Sequence, residues 1–143
     1  MTAAELVTSL GQVSASQAVA AIAGLAAASG GHVGLLARHL ESGEQLAWKP
    51  DDVIGTASAV KVAIASKTGS VGGCRVETGL LYLPGDGGTV AYCAAADHLA
   101  DRSMTMLSEG NEILGRLGAI ILARWWPGPG PVPVRQGWLP APA

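Results

Sequence analysis

Two pairs of apolar runs, each pair divided by a glycine-containing turn, limit the folds open to this chain more than any other feature. HVGLLARHL and QLAWKP flank the turn at residues 41–44, and RVETGLLYLP and GTVAYCAAA flank the glycine-rich turn at residues 85–88. Strand-like runs on both sides of a short turn predict β-hairpins. The chain is therefore expected to build an antiparallel sheet.

Helical patterns lie before, between and after these hairpins. The larger apolar side chains of residues 14–29 recur at helical spacing, and the glycine pair at 30–31 predicts the end of that helix. A shorter helix is predicted over residues 56–65, and residues 106–126 carry a broad apolar helical face. The resulting order of elements predicts an α+β fold, in which the N- and C-terminal helices pack on one face of the sheet.

Composition restricts the partners and the location of the chain. With 143 residues, of which 49% are hydrophobic and 14% charged, it is long and apolar enough for one folded core. A net charge of -2 argues against a nucleic-acid partner. No run reaches the roughly 20 apolar residues of a membrane span, so no membrane partner is expected. The first basic residue is Arg38, so no signal peptide is expected either.

The last part of the chain differs in composition from the rest. Residues 127–143 are rich in proline and glycine, which predicts a disordered tail after a folded domain at residues 1–126. Trp138 lies in this tail, and Trp125 and Trp126 lie just before it, at the end of the last predicted helix. These aromatic residues support one alternative, a small partner-binding protein that uses the tail as an anchor.

The cysteines and histidines predict neither a disulfide nor a metal site. A turn near residues 85–88 places Cys93 opposite the region of Leu80, which is ~20 Å along the strand from Cys74 and beyond disulfide reach. The histidines show no ligand spacing of the His-x-x-x-His kind. No metal and no cofactor are expected.

Ser58 and Lys61 form a Ser-x-x-Lys motif within the short predicted helix. Residues three apart lie on one helical face, so the lysine can accept the proton of the serine hydroxyl if its ammonium form is disfavoured. A nearby positive charge such as that of Lys67 would disfavour it. A serine at a helix start also has free backbone N–H groups beside it, which can stabilise an oxyanion.

A Lys-Thr-Gly motif follows after only a few residues, at Lys67, Thr68 and Gly69. On a strand edge these residues would present an ammonium and a hydroxyl group to a substrate carboxylate, and Gly69 would allow close approach. The backbone N–H of Ser70 would be a second oxyanion donor. A phosphate-binding loop is excluded, because Ser66 precedes the lysine and the spacing to Gly55 is wrong.

The two motifs and their surroundings resemble one enzyme family. GTASAVK at residues 55–61, with HVGLLARHLESGEQLAWKPDDVI before it, resembles the nucleophile region of class A β-lactamases and related serine hydrolases. SKTGSVGGCRVETGLLYLPGDGGTVAYCAAA at residues 66–96 resembles their lysine-threonine-glycine strand and the hairpin that follows. The resemblance covers roughly residues 32–126.

This resemblance implies specific roles for the motif residues. Ser58 would be the acylated nucleophile and Lys61 its proton partner, while Lys67 and Thr68 would hold the carboxylate of a small β-lactam-like substrate. The backbone N–H groups of Ser58 and Ser70 would form the oxyanion hole. Members of the family are usually exported, so the compartment of this chain stays open.

The chain also departs from the family pattern. The family has a helical subdomain between the two motifs, which carries a Ser-x-Asn element and, in class A enzymes, a glutamate that activates the deacylating water. Here that part is missing, with the seam near residues 65–66. Impaired turnover is therefore expected. The alternative is an inactive remnant that acts as a binding module and self-associates through exposed apolar surface.

The short distance between the motifs sets a geometric condition. In an unbroken helix Lys67 would lie about 180° around the axis and ~13.5 Å along it from Ser58. The chain must therefore bend between Ile64 and Lys67 if both are to share a site. Five glutamates remain as candidate water activators, of which Glu77 is nearest to the motif strand in sequence: Glu41, Glu44, Glu77, Glu109 and Glu112.

Overall fold

The computed structural model describes residues 12–52 and 66–126, and of residues 66–69 it describes the backbone alone. The predicted helix at residues 56–65 and the predicted tail at residues 127–143 lie outside the described residues. Within the described ranges no helix is long and apolar enough to cross a membrane. In chain order the elements are α1 (Ala15–Ser29), β1 (His32–His39), β2 (Gln45–Trp48), β3 (Ser66–Val71), β4 (Cys74–Tyr82), β5 (Thr89–Asp97) and α2 (Glu109–Trp125).

The five strands form one antiparallel sheet in the order β2-β1-β5-β4-β3. The two predicted hairpins, β1 with β2 and β4 with β5, are confirmed. A two-residue turn at Gly72 and Gly73 makes a further hairpin of β3 and β4. The long-range pairing of β1 with β5 joins these hairpins into one sheet and leaves β3 at an edge.

Helix α1 begins and ends where the sequence predicts. The Ser14 side chain accepts the backbone N–H of Gln17, and the Gln17 side chain accepts the backbone N–H of Ser14, which is a capping box. Gly30 ends the helix in the left-handed conformation, at φ 66°. Local capping chemistry therefore sets both ends of this helix.

Helix α2 begins three residues later than the apolar pattern predicts. Met106 and Leu107 precede it and are 84% and 95% exposed. The Ser108 hydroxyl accepts the backbone N–H of Asn111, and the Asp101 carboxylate accepts that of Glu109. These two acceptors satisfy N–H groups of the first turn, so the helix starts at Glu109.

Both helices pack on the same face of the sheet, as predicted, and they contact each other there. Val33, Leu35 and Ala37 alternate along β1 and are buried in one cluster with Ile22 of α1 and Leu117 of α2. The face of the sheet that carries these residues is called the helix face below. The opposite face, which carries Leu36 among others, is called the open face. The predicted α+β architecture is confirmed.

The β4–β5 hairpin has a different register from the one predicted. Cys93 pairs with Thr78, not with Leu80, because the strand pairing closes at Tyr82 and Thr89 and centres the turn one residue earlier. Cys74 and Cys93 form no disulfide, as expected. Cys74 is buried, but Cys93 is exposed.

Candidate active site

The structure places the Lys-Thr-Gly motif and Ser70 on β3, the edge strand of the sheet. This agrees with the strand edge expected from the sequence. Ser58 and Lys61 lie outside the described residues. The described part of the candidate active site is therefore the edge strand and the residues beside it.

Strand β3 begins at Ser66, so the backbone at Lys67 is extended. An unbroken helix from Ser58 to Lys67, which would separate the two residues on opposite sides of its axis, is thereby excluded. The bend expected between Ile64 and Lys67 falls partly outside the described residues, and the structure describes its far side, where the backbone is in strand conformation from Ser66 onward.

Strand β4 lies between β5 and β3, and the hydrogen bonds of the β4–β5 hairpin show which of its backbone groups point to β5 and which point to β3. Leu83 N–H donates to the Gly88 carbonyl at 2.8 Å, and directly opposed residues bond in this way at every second pair. Glu77 lies an even number of residues before Leu83, so its backbone N–H and C=O also bond to β5. The backbone groups of Val76 and Thr78 therefore point to β3.

The same alternation continues into the edge strand. Val76 pairs with Gly69, so the backbone N–H and C=O of Gly69 bond to β4. Those of its neighbours Thr68 and Ser70 then point away from β4, to the free edge of the sheet. The turn at residues 72–73 agrees, because a two-residue hairpin closes on a hydrogen-bonded pair. Ser70 thus offers an amide hydrogen that the sheet itself does not use.

Lys67 occupies a register position in line with residues of the open face. It pairs with Thr78, which pairs with Cys93, which pairs with Leu36. The Thr78 hydroxyl oxygen is buried and has no hydrogen-bond partner among the described residues. A cavity of about 150 Å³ shares Cys93 with this row of residues and is lined by Gly34, Lys49, Pro50, Asp52, Val76 and Cys93, among others.

Glu77 precedes Thr78 on β4 and therefore lies on the opposite face of the sheet. It pairs with Ala94, a residue of the core on the helix face, and its carboxylate accepts the hydroxyl of Tyr92 in a short hydrogen bond. Burial, with the nearby Glu77, raises the pKa of Tyr92 above its ordinary range, so the phenol stays protonated and keeps donating. The carboxylate of Glu77 thus has a partner on the face away from the Lys67 position.

Three further candidate glutamates also have partners within the fold. Glu41 accepts the backbone N–H of Thr89, which lowers the pKa of its carboxyl. The pKa of Glu44 is lowered by the hydrogen bond from the Trp125 indole and by Arg124. Glu112 forms an ion pair with the arginine one helical turn later. Each of these carboxylates is tied to local structure.

The structure also assembles a group that the sequence spacing does not reveal. His32, Asp97 and His98 lie together where β1 begins and β5 ends. Only the adjacency of Asp97 and His98 is visible in the sequence, because His32 joins them through the long-range pairing of β1 with β5. The expectation of no metal-ligating pattern therefore missed this cluster.

Comparison with known proteins relates one part of the chain to an enzyme family. Residues 15–65 match a family model described as a β-lactamase enzyme family. The match contains Ser58 and Lys61 and ends just before β3. No curated protein and no solved structure matches the chain. Residues 15–65 are thus similar to a β-lactamase enzyme family, and the α+β fold of the described residues is consistent with that likeness.

Proposed function

We propose that the chain is a serine hydrolase of the β-lactamase type, in which a β-lactam acylates Ser58. The observation that carries the proposal is the amide hydrogen of Ser70, which points to the free edge of the sheet. A backbone N–H that the pairing of the described strands leaves unused, next to a Lys-Thr-Gly sequence, suits an oxyanion hole. The family match supports the proposal because it includes both Ser58 and Lys61.

In the proposed reaction the Ser58 hydroxyl oxygen attacks the carbonyl carbon of the β-lactam ring. Lys61 takes the hydroxyl proton, and the amide hydrogens of Ser58 and Ser70 stabilise the negative oxygen of the tetrahedral intermediate. The carbon–nitrogen bond of the ring then breaks, and the proton passes to the ring nitrogen. Lys67 and Thr68 hold the carboxylate of the substrate. The product is an ester of Ser58 that contains the whole β-lactam.

Release of this ester needs an activated water molecule. Of the five candidate glutamates, four are engaged by a structural partner, and Glu109 lies in the first turn of α2: the four are Glu41, Glu44, Glu77 and Glu112. The sequence offers neither a Ser-x-Asn element nor the deacylating glutamate of the family. We therefore expect acylation to be faster than deacylation. The acyl ester should persist rather than turn over quickly.

Intact-protein mass spectrometry after incubation with a penicillin tests the proposal. The parent chain is expected to gain the mass of one whole penicillin, because ring opening by acylation expels no leaving group. Ser58→Ala should gain no mass, since the nucleophile is absent. Ser16→Ala, which removes an exposed hydroxyl from α1, is the matched control and should be acylated like the parent. A parent chain without added mass, or added mass on Ser58→Ala, would contradict the proposal.

The open face favours a second candidate function, association of two copies of this chain. Leu36 is 43% exposed, Leu80 39% and Tyr82 69%, and the register places all three on this face. Contiguous exposed apolar surface favours association. Because a second copy presents the same surface, a symmetric pair could cover both patches at once.

Light scattering coupled to size-exclusion chromatography tests this association. The parent chain is expected to show a mass that rises with concentration toward that of a dimer. Leu36→Gln combined with Leu80→Gln should shift it toward the monomer, because both changes place polar groups in the patch. Leu107→Gln changes an exposed leucine outside the sheet and should have no effect. A parent chain that stays monomeric at every concentration would rule the association out.

A further inference from the structure

A compact group of three potential ligands lies at one end of the sheet. One carboxylate oxygen of Asp97 is 2.9 Å from His98 Nδ1 and 3.3 Å from His32 Nδ1. The ligand atoms of all three residues lie within 4.8 Å of one another. The two imidazole rings are 4.8 Å apart between centroids, and both contact the same carboxylate oxygen.

The fold holds this group in place from several sides. His32 and Asp97 are directly opposed partners of β1 and β5, so the sheet register sets their spacing. Gly31 lies against the backbone oxygen of Asp97 so closely that a Cβ at residue 31 would be 2.4 Å from it. The chain at the start of β1 is thus fixed against the end of β5.

His98 is held in an uncommon backbone conformation. Its φ is 55°, in the left-handed region that residues other than glycine rarely adopt. In this conformation its imidazole bonds to the carboxylate of the residue before it. A non-glycine residue in the left-handed region is a feature that frequently accompanies function. Here it brings the second imidazole to the carboxylate.

The chemistry of the group matches one class of ligand. Two imidazoles and one carboxylate are the donors that borderline divalent transition metals such as Zn²⁺ accept. Tetrahedral Zn²⁺ with bonds of about 2.0–2.1 Å separates its ligand atoms by roughly 3.3 Å, which is near the 2.9 and 3.3 Å between the Asp97 oxygen and the two imidazole nitrogens. The Asp97 side chain is 8% exposed, whereas those of His32 and His98 are 58% and 71% exposed. Because the carboxylate of Asp97 is buried and the two imidazoles are exposed, a metal ion can reach the group from solvent.

We propose that His32, Asp97 and His98 form a binding site for one divalent transition-metal ion of the Zn²⁺ class. Three protein ligands leave a position for water, and the bound ion would clamp the start of β1 to the end of β5. The ion replaces the proton that His98 and Asp97 share in the metal-free chain. The proposal is independent of acylation, because it uses none of the residues assigned to that reaction.

Isothermal titration of the full chain with zinc chloride tests the site. Because thiolates are themselves zinc ligands and Cys93 is exposed, the titration uses a Cys93→Ser background so that any binding by this thiol is excluded. One ion per chain is expected, together with a rise in melting temperature, since the ion binds the folded state. His98→Asn removes the imidazole and keeps a residue that tolerates the left-handed conformation. We expect this variant, and likewise His32→Gln, to bind zinc at least about tenfold more weakly.

His39→Gln is the matched control, because His39 is the remaining histidine of the chain and lies at the other end of β1. Its zinc affinity should equal that of the parent. Asp97→Asn keeps the shape of the side chain and removes its charge, and it should also weaken binding. Circular dichroism shows whether each variant is folded. Absence of zinc binding by the parent, or equal binding by the folded His32 and His98 variants, would overturn the proposal.

Discussion

Replacing Arg75 by alanine is expected to lower the free energy of unfolding by roughly 3–5 kcal/mol, a large part of the stability of a domain of this size. Arg75 is 2% exposed. Its guanidinium donates to the backbone oxygens of Val71, Cys74 and Ser103, and it lies 3.4 Å from the Ser108 hydroxyl. Removing the guanidinium takes away these hydrogen bonds, of which those to the Cys74 carbonyl and the Ser108 hydroxyl are buried.

The side-chain stem of Arg75 adds to this effect. A Cβ built on Gly110 would lie 2.5 Å from the Arg75 Cγ, so the first turn of α2 packs directly against the stem. Alanine at position 75 would open a cavity there. Arg75 therefore connects the start of β4, the segment before α2 and α2 itself, and its loss should loosen all three.

Urea denaturation followed by circular dichroism measures the change. Arg102→Ala, at an exposed arginine in the segment before α2, is the control and should change stability by no more than about 0.5 kcal/mol. If Arg75→Ala is too unstable to fold, Arg75→Lys keeps the charge and part of the hydrogen bonding and should give an intermediate loss. Equal stabilities for Arg75→Ala and Arg102→Ala would refute the role assigned to Arg75.

The parts of the fold that follow from local chemistry could be predicted from the sequence. The capping residues around α1 and the glycine turns of the hairpins act over a few residues, so their patterns are visible in the chain. The predicted start of α2 is three residues too early. Asp101 and Ser108 satisfy the amides of the first turn, and the apolar pattern does not show this. Local patterns thus predict elements better than their exact ends.

Features that depend on strand register could not be predicted. Cys93 was assigned a partner two residues away from Thr78, because the turn centre was one residue off. The cluster at His32 needs the pairing of β1 with β5, and the burial of Arg75 needs the docking of α2 on β4. The direction of the Ser70 amide likewise depends on counting hydrogen-bonded pairs across two hairpins. Each of these features joins parts of the chain that are distant in sequence.

Replacing Ser70 by proline is expected to slow acylation by a β-lactam about 10²–10³-fold, the usual cost of removing one oxyanion donor. Proline lacks the backbone N–H that we place at the free edge of β3. The β3–β4 ladder does not use that N–H, and proline is tolerated on an edge strand when its nitrogen faces outward. Ser70→Pro should therefore lose acylation while it keeps most of the stability of the parent.

Two variants separate this role of Ser70 from other effects. Ser70→Ala removes the hydroxyl and keeps the N–H, so it should be acylated at nearly the parental rate. Gly69→Pro removes an N–H that bonds to β4 and should destabilise the sheet. The acylation rate comes from time-resolved mass spectrometry, and stability from urea denaturation. If Ser70→Pro unfolds as readily as Gly69→Pro, the Ser70 amide points into the sheet; if it is stable and acylated at the parental rate, the oxyanion is held elsewhere.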